Sequence, residues 1–329
     1  MGNSCITGFA RPRLGKTHDP AFKWKVHGFS ALLERGAISA NSAHFHCCGY
    51  KCDVISSHHL RYLEVAPMHK NSGDGISYVA ICLSLSRSSF KPDYFINAVF
   101  ELSMHNHSNG TYCGRKARYS FHVKKTHSEK ICLIPLDELL KSSEFLVDDC
   151  CAFGVRILKA DVSSPKGMPS AIVIPEKPIS VQNLFLQKKG FIKGNYTWTI
   201  YNFLDLKLPV RSPTFEVGEH KWNIRVHPLG NEYSTNSVSL FLHLHDLKNL
   251  PDPDSGVKIE LTVSILDQNH GKHFTITGRF VFASAAKVGW GWSNFIPLET
   301  LNDPSRAYLA GSSYILKADI TIIGSSNDG

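Results

Sequence analysis

Ile134-Pro-Leu-Asp-Glu-Leu139 is echoed far downstream by Ile296-Pro-Leu-Glu-Thr-Leu301. Two more pairs keep the same order. Phe22-Lys-Trp-Lys-Val26 matches Tyr196-Thr-Trp-Thr-Ile200, and Leu158-Lys-Ala-Asp-Val162 matches Leu316-Lys-Ala-Asp-Ile320. Phe29 and Phe203 follow the first pair at equal distance. Three echoes in one order define an internal repeat, which decides the architecture before any single element does. The offset shrinks from about 174 residues at the first pair to about 158 at the last, so the loops differ in length between copies.

Within a copy the pattern has period two. Val257-Lys-Ile-Glu-Leu-Thr-Val-Ser-Ile265 alternates apolar and polar residues, as a half-buried strand does. Val238-Ser-Leu-Phe-Leu-His-Leu244 and Tyr314-Ile-Leu-Lys-Ala-Asp-Ile-Thr-Ile322 read the same way, and turns such as Asp267-Gln-Asn-His-Gly271 separate such runs. Helical signal is confined to Pro135-Leu-Asp-Glu-Leu-Leu140 and its partner near Leu298. Many short strands with almost no helix predict an all-β chain of two antiparallel sandwiches. Ser163-Ser-Pro-Lys-Gly-Met-Pro169, followed by Pro175 and Pro178, reads as a linker. The expected division is a leader over 1–18, a first domain over 19–162, a linker over 163–189, a second domain over 190–325 and a tail over 326–329.

Charge and composition narrow the function. At 43% hydrophobic and 19% charged residues the chain is globular in type. A net charge of +8 is modest for 329 residues, and Lys124-Lys125 and Lys188-Lys189 are isolated pairs without interleaved aromatics, so no nucleic-acid partner is expected. No apolar run reaches the roughly 20 residues of a spanning helix, and Met1-Gly-Asn-Ser-Cys5-Ile-Thr7 has no signal-peptide core. The nine cysteines therefore read as reduced thiols of a cytoplasmic protein.

The second copy carries a family's worth of motifs in order. They run from Tyr196-Thr-Trp-Thr-Ile-Tyr-Asn-Phe203 through Ser212-Pro-Thr-Phe215 and Lys221-Trp-Asn-Ile-Arg-Val-His-Pro-Leu-Gly230. Ser239-Leu-Phe-Leu242, Gly289-Trp-Gly-Trp-Ser-Asn-Phe-Ile-Pro-Leu298 and Asp303-Pro-Ser-Arg-Ala-Tyr-Leu309 complete the series. The chain resembles the meprin and TRAF homology (MATH) family in its plant-type tandem form. The resemblance implies TRAF-like sandwiches of about seven or eight strands each. It also implies capture of an extended peptide of a client protein at a sheet edge, where backbone hydrogen bonds supply affinity. By the same resemblance the groove residues are Phe241, Leu261, Phe282, Trp290 and Trp292. Alternation places Phe241 on the face opposite Leu240 and Leu242. In the first copy Cys82, Phe100, Ser128 and Lys130 stand there, and Cys52 replaces Trp222, so that copy reads as degenerate. The implied role is a non-enzymatic adaptor in ubiquitin-ligase or defence-related complexes, with a ligase component as a further partner. The alternatives are a catalytically empty relative of the family's ubiquitin-specific proteases and a membrane-surface scaffold.

Other chemistry is thin. Ala10-Arg-Pro-Arg-Leu-Gly15-Lys16-Thr17 fits a relaxed phosphate-loop pattern but lacks the first glycine, the preceding buried strand and the following helix. His44-Phe-His46-Cys47-Cys48, with Cys52 and His58-His59, collects metal-ligating residues without the paired spacing of a structural zinc site, so no metal and no cofactor are expected. No Gly-x-Ser-x-Gly elbow and no His-Glu-x-x-His helix occurs. Gly2 and Cys5, followed by Arg11, Arg13 and Lys16, resemble a doubly acylated anchor, although Ile6 stands where Ser or Thr is usual. Membrane association follows only if Gly2 is acylated. The nucleus remains an alternative compartment.

Overall fold

The computed structural model describes residues 14–34, 36–37, 39–43, 45, 61–85, 90, 93–164, 167–172, 180–231, 234–245, 255–283 and 289–328. The first copy contains β1 (Gly15–Lys16), β2 (Phe22–His27), α1 (Ser30–Glu34), β3 (Ala40–Asn41), β4 (Arg61–Lys70), β5 (Ser77–Leu85), β6 (Phe95–Asn106), β7 (Thr111–Phe121), β8 (Ile131–Pro135), α2 (Leu136–Leu139) and β9 (Cys150–Ser164). Between the copies lie β10 (Gly167–Ile172) and β11 (Ser180–Leu186). The second copy contains β12 (Ile192–Ile200), β13 (Val210–Arg211), β14 (Phe215–Val217), β15 (His220–His227), β16 (Ser237–Leu244), β17 (Ser255–Ile265), β18 (Phe274–Ala283), β19 (Trp290–Pro297), α3 (Leu298–Leu301), β20 (Leu309–Ala310) and β21 (Ser313–Asp328).

Each copy is a two-layer antiparallel sandwich. In the first, β3-β4-β5-β8 covers β1-β7-β6-β9-β2. In the second, β13-β15-β16-β19, with β14 on β15, covers β12-β21-β17-β18. Period-two patterning explains the layers. Val257, Ile259, Leu261, Val263 and Ile265 of β17 all enter the second core, while Phe22, Trp24 and Val26 of β2 enter the first. Each such side chain contributes about 1.5–3 kcal/mol when fully buried.

The repeat is visible atom by atom. Phe22 stacks on Phe45 at 3.7 Å, and Tyr196 stacks on Phe215 at 4.1 Å. Ser42 Oγ donates to Ala43 O and accepts from Leu63 N; Ser212 Oγ donates to Pro213 O and accepts from Ile224 N. The two short helices expected after Pro135 and Pro297 are α2 and α3, whose prolines hold φ near the helical value. α1 has no local sequence signal. Its first residue is capped across the fold, Ser30 N and Oγ both donating to the Asp149 carboxylate at 2.8 Å. Burial pushes that carboxyl up, but its bonds from Lys188 and Ser30 outweigh burial and hold it below the usual range.

The proline-bearing segment expected as a linker contains strands at both ends. β10 folds back antiparallel along β9, and β11 sits between the two copies. β11 pairs in parallel with β2, Ser180 opposite Phe22 through Phe185 opposite His27, and antiparallel with the end of β21. Among the described residues one sheet of twelve strands therefore runs through both sandwiches. Leu184 of β11 is sealed in the first core, and Gln182 Oε1 accepts the buried Ala43 N–H at 2.7 Å.

The first copy also covers part of the second copy's outer sheet face. Val281 of β18 belongs to the first core, and the fully buried Lys258 donates from Nζ to Asn41 O at 3.0 Å. Burial, reinforced by Arg279, pushes the Lys258 amine well below its ordinary value. Arg279 is buried beside it and pairs with Glu260 at 2.9 Å. The alternation in β17 thus holds for the inward series, while its outward Lys258 meets the other domain instead of water.

Candidate functional site

β19 is the margin of the second copy's smaller sheet. Among the described residues it pairs only with β16. Its sequence Trp290-Gly-Trp292 alternates a ring with a bare backbone. Leu242 lies opposite Trp290 and Leu240 opposite Trp292, so both rings share the inward side of those leucines. Trp290 stacks on Phe280 at 5.6 Å, and Trp292 meets the edge of Phe280 at 5.4 Å and Phe295 at 6.1 Å. Both indoles are half-buried, which leaves rim surface at the open side of the strand.

Phe241 lies across from Gly291 and points to the opposite face, as its alternation with Leu240 and Leu242 requires. It is half-buried. Any side chain at 291 would run into the backbone of Leu240 and Phe241, and one at 289 into the His243 ring. Glycine at both positions keeps β19 bare on that face, so Phe241 and His243 reach its edge unshielded. Strand register then sets Arg225 beside Phe241, Asn223 beside His243 and Arg211 beside Arg225. His227 meets the Phe241 ring edge-on at 5.9 Å. Burial lowers the His243 imidazole to about 4, with Arg211, Arg225 and His227 adding to the effect.

Two expected groove residues are corrected. Leu261 is 0% exposed and Phe282 2% exposed. Leu261 belongs to the inward series of β17, and Phe282 packs edge-on against Trp222 at 5.0 Å. A buried residue cannot line an open groove. The structure instead brings in Arg225, His227 and His243, with the buried Phe280 as the support on which both indoles pack. The pattern contained a signal for these three, since Arg225-Val-His227 and Phe241-Leu-His243 each alternate around a core residue.

The matching region of the first copy is built differently. Cys82 and Phe100 are buried. Burial, with Glu64 adding to it, pushes the Cys82 thiol up to about 12. Ser128 is zipped to β5, its N–H donating to Leu83 O and its Oγ accepting from Leu83 N. Lys130 pairs with Glu64 at 3.1 Å. The first copy instead places Tyr62 against the second copy's margin, its ring 5.5 Å from that of Trp290. Tyr62 Oη lies 2.9 Å from His127 Nε2.

Gly15 and Lys16 of the relaxed phosphate-loop pattern form β1, paired with Gly114 and Cys113, rather than a loop entering a helix. The acylation residues Gly2 and Cys5 lie outside the described residues, as do His44, His46, Cys47, Cys48, Cys52, His58 and His59. Among the described residues no metal-ligating cluster forms, and no helix is long and apolar enough to cross a membrane.

Two antiparallel sandwiches joined through one sheet, the second with a ring-lined strand margin, define a tandem TRAF-like β-sandwich protein. The MATH-domain profile matches residues 21–157 and 195–320, and the chain belongs to the MATH family. MATH domains are protein-interaction domains. Over 165 residues, 50% of this chain, it is 28% identical to Ubiquitin C-terminal hydrolase 12 of Arabidopsis thaliana. It is 36% identical over 121 residues, 36% of the chain, to TNF receptor-associated factor homolog 1a of the same plant. These matches span only 14% and 11% of those two proteins. A MATH domain and coiled-coil domain-containing protein of Arabidopsis thaliana is 28% identical over 132 residues, 39% of each chain.

Proposed function

We propose that this chain is a non-enzymatic adaptor that holds an extended segment of a client protein along β19. The observation that carries the reading is the combination of a strand margin unpaired among the described residues with half-buried Trp290, Trp292 and Phe241 on its two faces. An incoming strand gains backbone hydrogen bonds from β19, and the rings supply apolar contact at little rotamer cost. Arg211 and Arg225, adjacent like charges, favour an acidic group on the client. The names of two relatives, Ubiquitin C-terminal hydrolases 12 and 13, support a role for the adaptor in ubiquitin-linked complexes, with a ligase component as a further partner. The alternative, a catalytically empty relative of a ubiquitin-specific protease, is supported by the likeness to Ubiquitin C-terminal hydrolase 12.

Affinity purification of wild type against Phe241→Ala, followed by mass spectrometry, tests the adaptor. Clients retained by the wild type are expected to weaken by about 1–3 kcal/mol in the variant, as at other binding anchors. Trp292→Ala should weaken them similarly, with a larger fall in the melt because Trp292 also packs on Phe280 and Phe295. An identical client set for wild type and Phe241→Ala would sink the reading. Covalent capture of a cysteine by a ubiquitin probe would point to an enzyme instead.

A further inference from the structure

The two copies differ at a strand margin far from β19. β2 and β12 are repeat partners, since Phe22 and Tyr196 begin equivalent ring stacks and Trp24 and Trp198 follow two residues later. β2 is flanked on both sides, by β9 and by β11. β12 is flanked by β21, and among the described residues nothing pairs with its other side. The exposure of the two strands follows. Phe22 and Trp24 are 1% and 0% exposed, whereas Tyr196 and Trp198 are half-buried and Ile192 is 48% exposed.

We propose that the open side of β12 is a second strand-accepting site of this protein. Its occupant is an extended segment of a partner protein, lying parallel to β12, with apolar residues at alternate positions facing Tyr196, Trp198 and Ile200. The chain itself supplies the template. β11 occupies the equivalent slot in the first copy, in parallel, with Ser180, Gln182 and Leu184 opposite Phe22, Trp24 and Val26. Backbone pairing holds such a strand, and every second side chain covers the rings.

One substitution between the copies sharpens the partner's chemistry. In the first copy the buried Ala43 N–H requires an acceptor, and Gln182 provides it. The matched serine hydroxyls make Pro213 the counterpart of Ala43. Proline has no N–H, so at that position the second slot lacks the donor that Gln182 satisfies in the first. Its occupant therefore carries an apolar residue where β11 carries Gln182. The same change lets the slot stand empty without orphaning a buried donor.

The test uses the full chain and a fluorescent synthetic peptide spanning residues 180–188 of this sequence with Gln182→Leu. Saturable binding is expected below about 1 mM, the range of a weak strand addition. Hydrogen–deuterium exchange should slow along β12 on binding. Trp198→Ser should lower affinity at least about tenfold, equivalent to roughly 1.4 kcal/mol. Phe241→Ala should leave it unchanged, which separates this site from the β19 margin. A peptide methylated at alternate backbone nitrogens retains the side chains but not the donors, and should not bind. Since Trp198→Ser could loosen the fold, this peptide is the independent control. The proposal is overturned by no binding, by equal binding of the methylated peptide, or by binding that survives Trp198→Ser, which would signal displacement of β11 from β2. It is equally overturned by a concentration-dependent dimer that protects β12, because a second copy would then be the occupant.

Discussion

Trp24 and Trp198 occupy the same place in two copies of one domain, yet one ring is sealed and the other half-exposed. Their own strands do not account for this, since both alternate in the same way and both pair with the closing strand of their sandwich. The difference is an outside strand. The segment between the copies returns to the first copy as β11 and covers Trp24, while the second copy receives nothing equivalent among the described residues. The contrast extends to the other margin, where the first copy has the Glu64–Lys130 pair and a zipped Ser128, and the second has Trp290 and Trp292. A duplicated fold has thus divided its labour. The first copy has its β2 edge filled by β11 and buttresses the second; the second keeps ring-bearing rims at β12 and β19.

The contrast should break most visibly at the rings. Trp24→Ala is expected to cost about 3–5 kcal/mol in a denaturant melt, the range for a large core residue. Trp198→Ala should cost about 1–2 kcal/mol, because less of its surface is buried. Equal losses would erase the distinction. Next is the seam that holds the first copy against the second. Lys258→Met should raise stability near neutral pH by about 1–4 kcal/mol, as replacement of a buried charge by a matched apolar chain commonly does. Because burial depresses the folded amine, the unfolded chain binds more protons between the folded value and 10.5. Wild-type stability should therefore rise with pH through that window and fall as pH drops through the folded value. The rise should vanish in Lys258→Met.

The strand slot gives a smaller effect. Gln182→Leu strands the buried Ala43 N–H and should cost about 1–3 kcal/mol. Adding Ala43→Pro, which copies the second domain, should recover at least half of that loss in a double-mutant cycle. The smallest effect concerns His243, whose imidazole burial lowers from 6.5 to about 4. The unfolded chain takes up its proton first as pH falls, so stability should decline between pH 6.5 and about 4. His243→Gln should flatten that limb.

Much of the fold was legible because it rests on short-range alternation and on a repeat. β17, α2 and α3 lie where the pattern places them, and Phe241 faces away from Leu240 and Leu242 as alternation requires. What escaped depends on contacts between distant residues. α1 is capped by Asp149, more than a hundred residues away, and β11 is defined by its two neighbours rather than by its composition. In the site, the family resemblance points to Leu261 and Phe282, and their burial follows from which face of each strand the sandwich closes upon. Arg225, His227 and His243 follow from alternation because Phe241 faces outward. The contact of Tyr62 with Trp290 was not, because it joins two domains.

Amide hydrogen exchange on the unliganded chain tests the division between the copies most directly. β2 is paired on both sides and should exchange slowly along its whole length, whereas β12 and β19 should show alternate amides, those facing away from β21 and β16, exchanging at loop-like rates. Uniform protection of β12 and β19 at the level of β2 would mean that both margins are already filled, and would contradict the account.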